Sequence, residues 1–333
     1  MSKVVLGFSG GVDSAVSAEL LKKQGFQVYG LYMDNTDEAA RLAAVSAAER
    51  QGIELKVLAV KEALEERVCR PFTEAYLRGE TPNPCILCNP ALKFKSLVDY
   101  ADAIGAELVA TGHYARAAGG GIYKGRPAND QSYMLCRLTP AQARRAVFPL
   151  GDYEKAQVRA LAEELSLPAA HKPDSMEICF IPDKDYIGWL SRRAAMPPEG
   201  DFVFHGQVVG RHEGIHRYTV GQRRPGLMDG RKVYIAKIDP VSNRIELALW
   251  EELFQTEVMV RDFNWLVEPP CAPIRASVRV RHTKWENPAC TAAIEGDLVH
   301  IRCDEPVRAP AAGQSAVLYE GERLLGGGFI VSK

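Results

Sequence analysis

Three cysteines are the first residues whose types and spacing could do chemistry. Cys85 and Cys88 form a Cys-x-x-Cys pair in a proline-rich segment that reads as a loop, and Cys179 follows further along the chain. Thiol pairs at this spacing bind metals, carry out redox chemistry or ligate iron–sulfur clusters. A structural zinc site prefers four ligands, and no second pair accompanies this one. Structural zinc and inert thiols stay open as alternatives.

The second chemical feature is the glycine-rich stretch Ser-Gly-Gly-Val-Asp-Ser at 9–14. It follows a strand-like segment and opens a helix-like one, so its glycines would let the backbone turn tightly around a ligand. Its N–H groups and the start of the helix would form a nest for phosphate, to which Ser9 and Ser14 add hydroxyl donors. Asp13 would repel phosphate unless a cation lay between them, which predicts Mg²⁺. A plain glycine turn with a serine cap is the alternative.

This stretch lacks the Gly-Lys-Ser/Thr ending of the Walker loop and the Gly-x-Gly-x-x-Gly pattern of dinucleotide-binding folds. It resembles instead the SGGxDS loop of PP-loop pyrophosphatases, which split ATP into AMP and pyrophosphate. The resemblance implies ATP as the nucleotide.

Strand-like and helix-like stretches alternate through the first half of the chain. The predicted strands are 4–8, 27–33, 54–60 and 107–111, and the predicted helices are 14–23, 37–50, 61–78, 92–104, 152–165 and 183–193. This order predicts an α/β fold with a parallel sheet covered by helices on both faces. Ligands bind at the carboxyl ends of such strands, so the loop after Phe8 and the turn at 111–113 should lie on that edge.

The pattern changes to short strands near Met196. Strands are predicted at 208–211, 232–238, 244–247, 275–281, 290–293, 298–302, 315–319 and 328–331. Their spacing predicts a small β-rich domain followed by a barrel or sandwich. The predicted domains are 1–195 (nucleotide-binding and catalytic), 196–252 (small, β-rich and central) and 253–333 (C-terminal β-barrel).

Composition narrows the class of protein. The chain has 333 residues, 47% of them hydrophobic, and a net charge of −1, as expected for a soluble globular protein. No apolar run is long enough for a bilayer and no signal peptide is recognised, which predicts a cytoplasmic protein with no membrane partner. The charge does not indicate a general nucleic-acid binder, although one local basic patch could contact RNA. That patch comprises Arg275, Arg279, Arg281, His282 and Lys284.

Six motifs occur in a characteristic order. They are SGGVDS at 9–14, TPNPxxxCN at 81–89, ATGHY at 110–114, DQSY at 130–133, DSxxICFI at 174–181 and GQSAVxYxG at 313–321. Together they resemble the bacterial and mitochondrial tRNA-specific 2-thiouridylases, the MnmA/TrmU family, over nearly the whole chain. The resemblance implies a tRNA-uridine 2-sulfurtransferase with a PP-loop domain, a small central β domain and a C-terminal β-barrel.

The resemblance also implies a mechanism. AMP is transferred onto the C2 oxygen of a wobble uridine in tRNAs of the Lys, Glu and Gln type, and sulfur then displaces AMP. Cys179 would carry the sulfur as a persulfide, and Cys88 would release it by forming a Cys88–Cys179 disulfide. Asp13 joins them as a catalytic residue. A cysteine desulfurase, a relay protein or inorganic sulfide would supply the sulfur.

The same resemblance assigns binding residues. Those for ATP are Gly7, Phe8, Ser9, Gly10, Gly11, Val12, Asp13, Ser14, Met33 and Gly112. Those for tRNA are Asn83, Pro84, Cys85, His113, Asn129, Asp130, Gln131, Arg281, His282 and Gln314, of which 83–85 would approach the target base. For the tRNA residues, a solvated polar face is the alternative.

Two features depart from the family. Many members have aspartate where this chain has Cys85, and three thiolates from Cys85, Cys88 and Cys179 could hold a [4Fe–4S] cluster whose open iron binds sulfide. The cluster and persulfide routes both stay open. The chain is also short after Met33 and near 226–232, which fits an enzyme supplied by sulfide without a donor protein.

Two other functions compete with thiolation. Another PP-loop enzyme, an amide-forming ligase that adenylates a carboxylate or a nucleobase oxygen, would explain the loop but neither the three cysteines nor the barrel. A non-catalytic RNA-binding protein would leave the intact Asp13, Ser14, Cys88 and Cys179 without a role.

Overall fold

The computed structural model describes residues 1–172, 178–226, 230–281 and 287–332. The chain divides into two compact units. The first comprises Met1–Val68, Cys85–Met176 and Glu322–Leu325, and the second comprises Cys69–Pro84, Glu177–Gly321 and Gly326–Lys333. The boundaries predicted near 195 and 252 stay a prediction. Among the described residues, no helix has the length and apolar character needed to cross a membrane.

A parallel sheet forms the centre of the first unit. The strands of this unit are β1 (Lys3–Gly7), β2 (Gln27–Asp34), β3 (Glu54–Ala59), β4 (Leu108–Ala110), β5 (Ala115–Ala118), β6 (Gly121–Lys124) and β7 (Ala146–Val147). The sheet order is β3-β2-β1-β4-β7, and each pairing in it is parallel. Val4 of β1 lies in register with Val28 of β2 and with Leu108 of β4. β1 is therefore the central strand.

Helices cover this sheet on both faces. The helices up to residue 172 are α1 (Val12–Lys23), α2 (Glu38–Arg50), α3 (Lys61–Leu64), α4 (Arg70–Leu77), α5 (Pro84–Cys88), α6 (Lys95–Ile104), α7 (Pro140–Arg145) and α8 (Lys155–Glu164), of which α4 belongs to the second unit. Leu6 packs in one core with Leu21 of α1 and Ala47 of α2. Side chains alternate across a strand, and a methyl group on the next residue, Gly7, would lie 3.7 Å from Leu97 of α6. The predicted α/β architecture is confirmed.

Two helical stretches differ from their predictions. The stretch at 61–78 consists of α3, a π-helical segment at Glu65–Cys69, and α4. The stretch at 92–104 begins earlier, because α5 and a π-helical segment at Asn89–Phe94 precede α6. The cysteine pair lies in α5, so the prediction that it lies in a loop is wrong. Proline is favourable in the first turn of a helix, where its missing N–H has no intrahelical partner, and Pro84 is the first residue of α5.

An unpredicted hairpin links the first unit to the end of the chain. β5 and β6 pair antiparallel. Tyr123 of β6 also pairs with Arg323, and the Lys124 N–H donates to the Glu322 carbonyl at 2.8 Å. Arg116 of β5 forms an ion pair with the Glu322 carboxylate at 2.6 Å. Residues 322–325 therefore complete the first unit from a distant part of the sequence.

The remaining elements are a helix, α9, and the strands of two β structures. They are α9 (Tyr186–Ser191), β8 (Gly200–Phe204), β9 (Gln207–His212), β10 (Arg223–Arg224), β11 (Val233–Asp239), β12 (Arg244–Ala248), β13 (Phe254–Trp265), β14 (Ile274–Arg279), β15 (Ala289–Glu295), β16 (Leu298–Arg308), β17 (Ser315–Glu320) and β18 (Arg323–Ile330). One sheet has the order β10-β11-β12-β8-β9. The next has the order β13-β16-β15-β14-β17-β18, and pairing of β18 with β13 closes it into a barrel. A small β domain followed by a barrel is confirmed, although β8, β10 and β13 were not predicted.

The core of the β8–β12 sheet gives a test of stability. Phe202 is fully buried, and its ring centroid lies 5.2 Å from that of Tyr218. We expect Phe202→Ala to lower the free energy of unfolding by about 3–5 kcal/mol, because the ring leaves a cavity. Val208→Ala is the control, since Val208 is 58% exposed, and we expect it to change by less than about 0.5 kcal/mol. Urea unfolding followed by circular dichroism measures both, and equal losses would contradict the described core.

Candidate functional site

The stretch at 9–14 forms the connection between β1 and α1. Gly10 has a φ of +70°, which only glycine adopts readily, and a methyl group there would lie 2.9 Å from the Cα of Ala44. Gly11 is the N-cap of α1 and carries no side chain that could cap the first helical turn. The N–H groups of that turn are thereby left to a bound anion, which the positive end of the helix dipole also attracts.

Two serine hydroxyls hold the loop in shape. The Ser14 Oγ donates to the Gly11 carbonyl at 3.0 Å, and it accepts from the Ser9 N–H at 3.3 Å. The Ser9 Oγ accepts from the Gly11 N–H at 3.3 Å. These bonds close the loop on itself, so its shape is set before any ligand binds.

Asp13, in the first turn of α1, is paired with a lysine. The Lys155 Nζ donates to both carboxylate oxygens of Asp13, at 2.7 and 2.8 Å. The Tyr114 hydroxyl donates to Oδ1 at 2.7 Å. The sequence predicts Mg²⁺ between Asp13 and a phosphate, and in this structure the ammonium group of Lys155 lies against the same carboxylate.

A cavity of about 290 Å³ opens beside the loop. This volume lies near the lower end of the range of about 300–1,000 Å³ that is usual for ligand pockets. It is lined by Gly7, Phe8, Ser9, Asp13, Ser14, Leu31, Tyr32, Met33, Lys93, Thr111, Gly112 and His113. Seven predicted nucleotide ligands lie on this wall. The predicted ligands Gly10, Gly11 and Val12 do not line it, and the Val12 side chain packs in the core with α8.

The turn after β4 closes one side of the cavity. A methyl group at Gly112 would lie 3.1 Å from the Cβ of Asp13, so glycine permits a close approach to α1. His113 Nδ1 lies 2.7 Å from Thr111 Oγ1, and its ring stacks on Phe94 with centroids 6.4 Å apart. Burial, with a smaller effect from the Lys93 charge, holds the pKa of His113 well below its ordinary value. His113, predicted to contact tRNA, is therefore a neutral group on the wall of this cavity.

The Cys-x-x-Cys pair is displayed by α5. Cys85 is exposed and Cys88 is half-buried. Positions three apart lie on one side of a helix, so both thiols can serve the same surface. Between them Ile86 is fully buried and anchors the helix in the protein core.

Cys179 belongs to the second unit and is exposed. The Phe180 ring beside it packs edge-on against Phe72, with centroids 5.5 Å apart, and is tilted by 46° against Trp189, with centroids 5.2 Å apart. This aromatic contact fixes the backbone next to the thiol. Asp174 and Ser175 of the same motif lie outside the described residues.

The described residues do not present the ligands of a cluster. Within residues 1–172, 178–226, 230–281 and 287–332, no group of three His, Cys, Asp or Glu side chains could hold a metal ion. The three-thiolate set of Cys85, Cys88 and Cys179 that a [4Fe–4S] cluster would need is therefore not shown.

The other five cysteines are mostly inaccessible. Cys69, Cys136, Cys290 and Cys303 are buried, and Cys271 is exposed. Burial raises the pKa of Cys290 to about 12 and that of Cys303 to about 11. Both thiols therefore stay protonated and unreactive at neutral pH.

The predicted RNA ligands at 129–131 hold a turn together. The Asp130 carboxylate is buried and accepts from the N–H groups of Gly125 and Ser132, at 2.8 and 3.0 Å. The Gln131 Oε1 accepts from the Tyr114 N–H at 3.1 Å. The Asn129 Oδ1 accepts from the N–H of Lys155, the first residue of α8, at 3.1 Å. These contacts position the segments that carry Tyr114 and Lys155.

The predicted RNA ligands of the second unit are also engaged within the protein. The Arg281 guanidinium donates to the carbonyls of Val220 and Ala309. The Gln314 Nε2 donates to the Thr81 carbonyl at 2.8 Å. His282 lies outside the described residues, as does Lys284 of the basic patch.

Other predicted members are placed as follows. Asn83 is half-buried and Pro84 is buried. Arg275 of the basic patch donates to both oxygens of Asp304, at 2.9 and 2.6 Å. Arg279 donates to Asn287 at 3.1 Å. Part of the positive charge of the patch is thus offset within the barrel.

Sequence reasoning missed several residues of the site. Leu31 and Tyr32 precede Met33 on β2, so the predicted strand already pointed to the wall that they form. Tyr114 lies in the ATGHY motif, which was a usable signal. Lys155 gave no local signal, because 142 positions separate it from Asp13.

The shortened segment after Met33 forms a tight connection. β2 ends at Asp34 and α2 begins at Glu38. The Asp34 carboxylate accepts from the Thr36 N–H at 2.9 Å, and the Asp37 carboxylate caps α2 by accepting from the Ala40 N–H at 3.0 Å. The second shortened segment, near 226–232, includes 227–229, which lie outside the described residues.

Comparison with known proteins gives matches to three successive parts of the chain. Residues 2–183 match the tRNA methyl transferase HUP domain, 192–248 the tRNA methyl transferase PRC-barrel domain and 255–330 the aminomethyltransferase beta-barrel domain. The tRNA-specific 2-thiouridylase MnmA of Syntrophotalea carbinolica is 41% identical over 98% of this chain and 98% of its own. The MnmA of Pelotomaculum thermopropionicum is 42% identical over 99% of this chain and 98% of its own. The MnmA of Clostridioides difficile is 38% identical over 98% of each chain. The chain therefore belongs to the MnmA family of tRNA-specific 2-thiouridylases.

Proposed function

We propose that this protein is an ATP-dependent tRNA-uridine 2-sulfurtransferase that acts in the cytoplasm. The observation that carries the proposal is the cavity formed by the SGGVDS loop, Met33 and Gly112 in a chain that matches MnmA relatives along almost its full length. The loop supplies a phosphate site, and the neighbouring apolar wall suits a nucleobase.

ATP is proposed to bind in this cavity with Mg²⁺. Phosphate oxygens would accept hydrogen bonds from the loop and from the first turn of α1. The Asp13 carboxylate and the Ser14 hydroxyl are hard oxygen ligands of the kind that Mg²⁺ prefers, and both line the cavity. Phe8, Leu31 and Met33 would pack against the adenine.

Activation of the uridine is the first chemical step. The C2 oxygen of uracil is a poor leaving group and must be activated before sulfur can displace it. It attacks the α-phosphorus of ATP and becomes part of a phosphate ester. The bond from that phosphorus to the bridging oxygen breaks, and its electron pair leaves with pyrophosphate. The N3 proton of uracil passes to solvent. AMP is then the leaving group at C2.

Sulfur transfer is proposed to use two thiols. Cys179 carries a terminal sulfur as a persulfide, and that sulfur attacks C2 and displaces AMP. The Cys88 thiolate then attacks the Sγ of Cys179, which breaks the sulfur–sulfur bond and leaves 2-thiouridine on the tRNA. A Cys88–Cys179 disulfide forms, and a dithiol reductant returns it to two thiols. The exposure of Cys179 would allow a sulfur donor to reload it.

The cluster route is the alternative use of the same cysteines. It requires Cys85, Cys88 and Cys179 together as iron ligands. The persulfide route needs Cys88 and Cys179, the two thiols to which the family resemblance assigns sulfur transfer, and it is the one proposed here. In that route Cys85, exposed on α5, lies near the target base without forming a bond to sulfur.

The substrate is proposed to be the wobble uridine of tRNAs of the Lys, Glu and Gln type. Asn83 to Cys85 would approach the base, while Gln314, Arg281 and His282 would contact the RNA. The bonds at 129–131 favour an indirect role for Asn129, Asp130 and Gln131, which hold the turn beside the nucleotide. A cysteine desulfurase or a relay protein would supply the sulfur of the persulfide, already at the oxidation level that a persulfide needs. Inorganic sulfide would be the donor in the cluster route.

The central test follows the product. We expect tRNA lacking 2-thiouridine to gain it when incubated without oxygen with the protein, ATP, Mg²⁺ and a sulfur source, as measured by nucleoside mass spectrometry. Parallel tubes contain sulfide or a cysteine desulfurase, each with and without iron reconstitution. Product without iron in the tube with the desulfurase supports the persulfide route, and product only with iron supports the cluster. No product in any tube would refute the proposed function.

The two thiols give a second prediction. We expect Cys88→Ser and Cys179→Ser each to lower 2-thiouridine formation more than about 10³-fold, and the double variant to be no worse, because the thiols act as one unit. Pyrophosphate release dependent on tRNA should persist in all three, since adenylation precedes sulfur transfer. Loss of pyrophosphate release and product together would contradict this division of roles.

Two further cysteines serve as controls for this experiment. Cys271 is exposed and lies outside every motif, so Cys271→Ser should leave product formation unchanged. Cys85→Ser separates the two sulfur routes. We expect it to retain product formation if Cys88 and Cys179 suffice, whereas a cluster would be lost with one of its three thiolates.

A further inference from the structure

The bidentate contact between Lys155 and Asp13 is the observation from which a further role follows. Both oxygens of Asp13 accept from the Lys155 ammonium, and the side chains are 33% and 21% exposed for Asp13 and Lys155. Asp13 lines the nucleotide cavity, and Lys155 contacts the Asp13 carboxylate without itself lining the cavity. Neither the motifs nor the composition assigned Lys155 any role.

The backbone of Lys155 is held firmly. It is the first residue of α8, and its N–H donates to Asn129 Oδ1 at 3.1 Å. Further along α8, Val158 and Ala162 are fully buried in one core with Val12 of α1. The long side chain can therefore move while its anchor point stays fixed relative to the phosphate loop.

Magnesium-bound ATP would bring a competitor for each half of this pair. The divalent cation competes with the ammonium for the Asp13 carboxylate, and the polyphosphate competes with Asp13 for the ammonium. The divalent cation carries more charge than the ammonium group, and the polyphosphate carries more charge than the carboxylate. Each new pair is therefore attracted more strongly than Lys155 and Asp13 are. The Tyr114 hydroxyl, 2.7 Å from Asp13 Oδ1, would keep the carboxylate in place after Lys155 leaves.

We propose that Lys155 is a catalytic residue that exchanges Asp13 for the β- and γ-phosphates of ATP when Mg²⁺ takes its place on Asp13. The proposal rests on the proposed adenylation function. As the uracil oxygen bonds to the α-phosphorus, negative charge grows on the departing pyrophosphate. The ammonium group donates hydrogen bonds to those oxygens and stabilises that charge, while its own proton count stays the same.

The first test compares two nucleotides and needs no tRNA. We expect Lys155→Gln to weaken the binding of ATP with Mg²⁺ by about 10- to 100-fold, because a hydrogen bond from a charged donor to phosphate is lost. AMP, which lacks the β- and γ-phosphates, should bind within about twofold of the unaltered protein. Equilibrium dialysis measures both affinities. An equal loss for ATP and AMP would overturn the proposal, because a merely structural ion pair would act on both.

The matched control is another lysine with the same kind of contact. Lys95 donates to both oxygens of Asp99, at 3.1 and 2.8 Å, on an exposed part of α6. Lys95→Gln removes one charge from a similar pair and should change neither affinity. Lys155→Arg keeps the charge, so it should retain most of the preference for ATP over AMP. Loss of that preference in Lys155→Arg would also count against the exchange.

The second test measures an affinity that Lys155→Gln should raise, that for a divalent cation. Without nucleotide, Lys155→Gln leaves the Asp13 carboxylate without the competing ammonium. We expect Mn²⁺, followed by electron paramagnetic resonance as a substitute for Mg²⁺, to bind up to about fivefold more tightly to this variant. Adding Asp13→Asn should abolish that gain. Unchanged Mn²⁺ binding in Lys155→Gln would overturn the exchange of partners.

These outcomes distinguish the assignment from the function on which it rests. Suppose that Lys155→Gln changes the ATP and Mn²⁺ affinities as expected, but the unaltered protein makes no 2-thiouridine. That result would refute the thiolation reaction but support Lys155 as a phosphate ligand. Thiolation that proceeds with unchanged ATP affinity in Lys155→Gln would refute the role of Lys155 alone. No binding of ATP to the unaltered protein would refute both.

Discussion

The parallel pairing of β1 with β2 on one side and with β4 on the other determines where the proposed nucleotide site can form. In this arrangement the three strands end at the same edge of the sheet, so the loop after β1, Met33 near the end of β2 and the turn after β4 meet there. Separately these are a glycine-rich turn, a methionine and another glycine. The cavity exists only because the strands run in the same direction.

Charge at this edge is distributed in a way that the whole-chain value conceals. The net charge of the protein is −1, yet lysines from three separate segments surround the phosphate loop. Lys93 lines the cavity, Lys155 binds Asp13, and the Lys172 ammonium donates to the Gly10 carbonyl at 3.0 Å. An anion entering the cavity therefore meets positive charge although the protein as a whole is nearly neutral.

The sequence predicted those parts of the structure that depend on local pattern. The SGGVDS loop, the alternation of strands and helices and the β-rich second half were confirmed because glycine conformation and hydrophobic periodicity act over a few residues. The helix at Pro84–Cys88 was missed because two prolines suggested a loop, although proline suits the start of a helix. Lys155 was missed for another reason, since its contact with Asp13 depends on the packing of α8 against α1.

The hairpin β5–β6 ties the first unit to residues 322–325, and this has a consequence for how the protein is made. A ribosome adds those four residues long after β6, so the nascent first unit lacks one pairing partner of β6 until then. Completion of the first unit is thereby coupled to synthesis of a distant part of the chain. A prematurely terminated polypeptide would retain the whole phosphate loop, yet it would expose an unpaired strand edge. Such an edge favours aggregation, because it can pair with a strand of another chain.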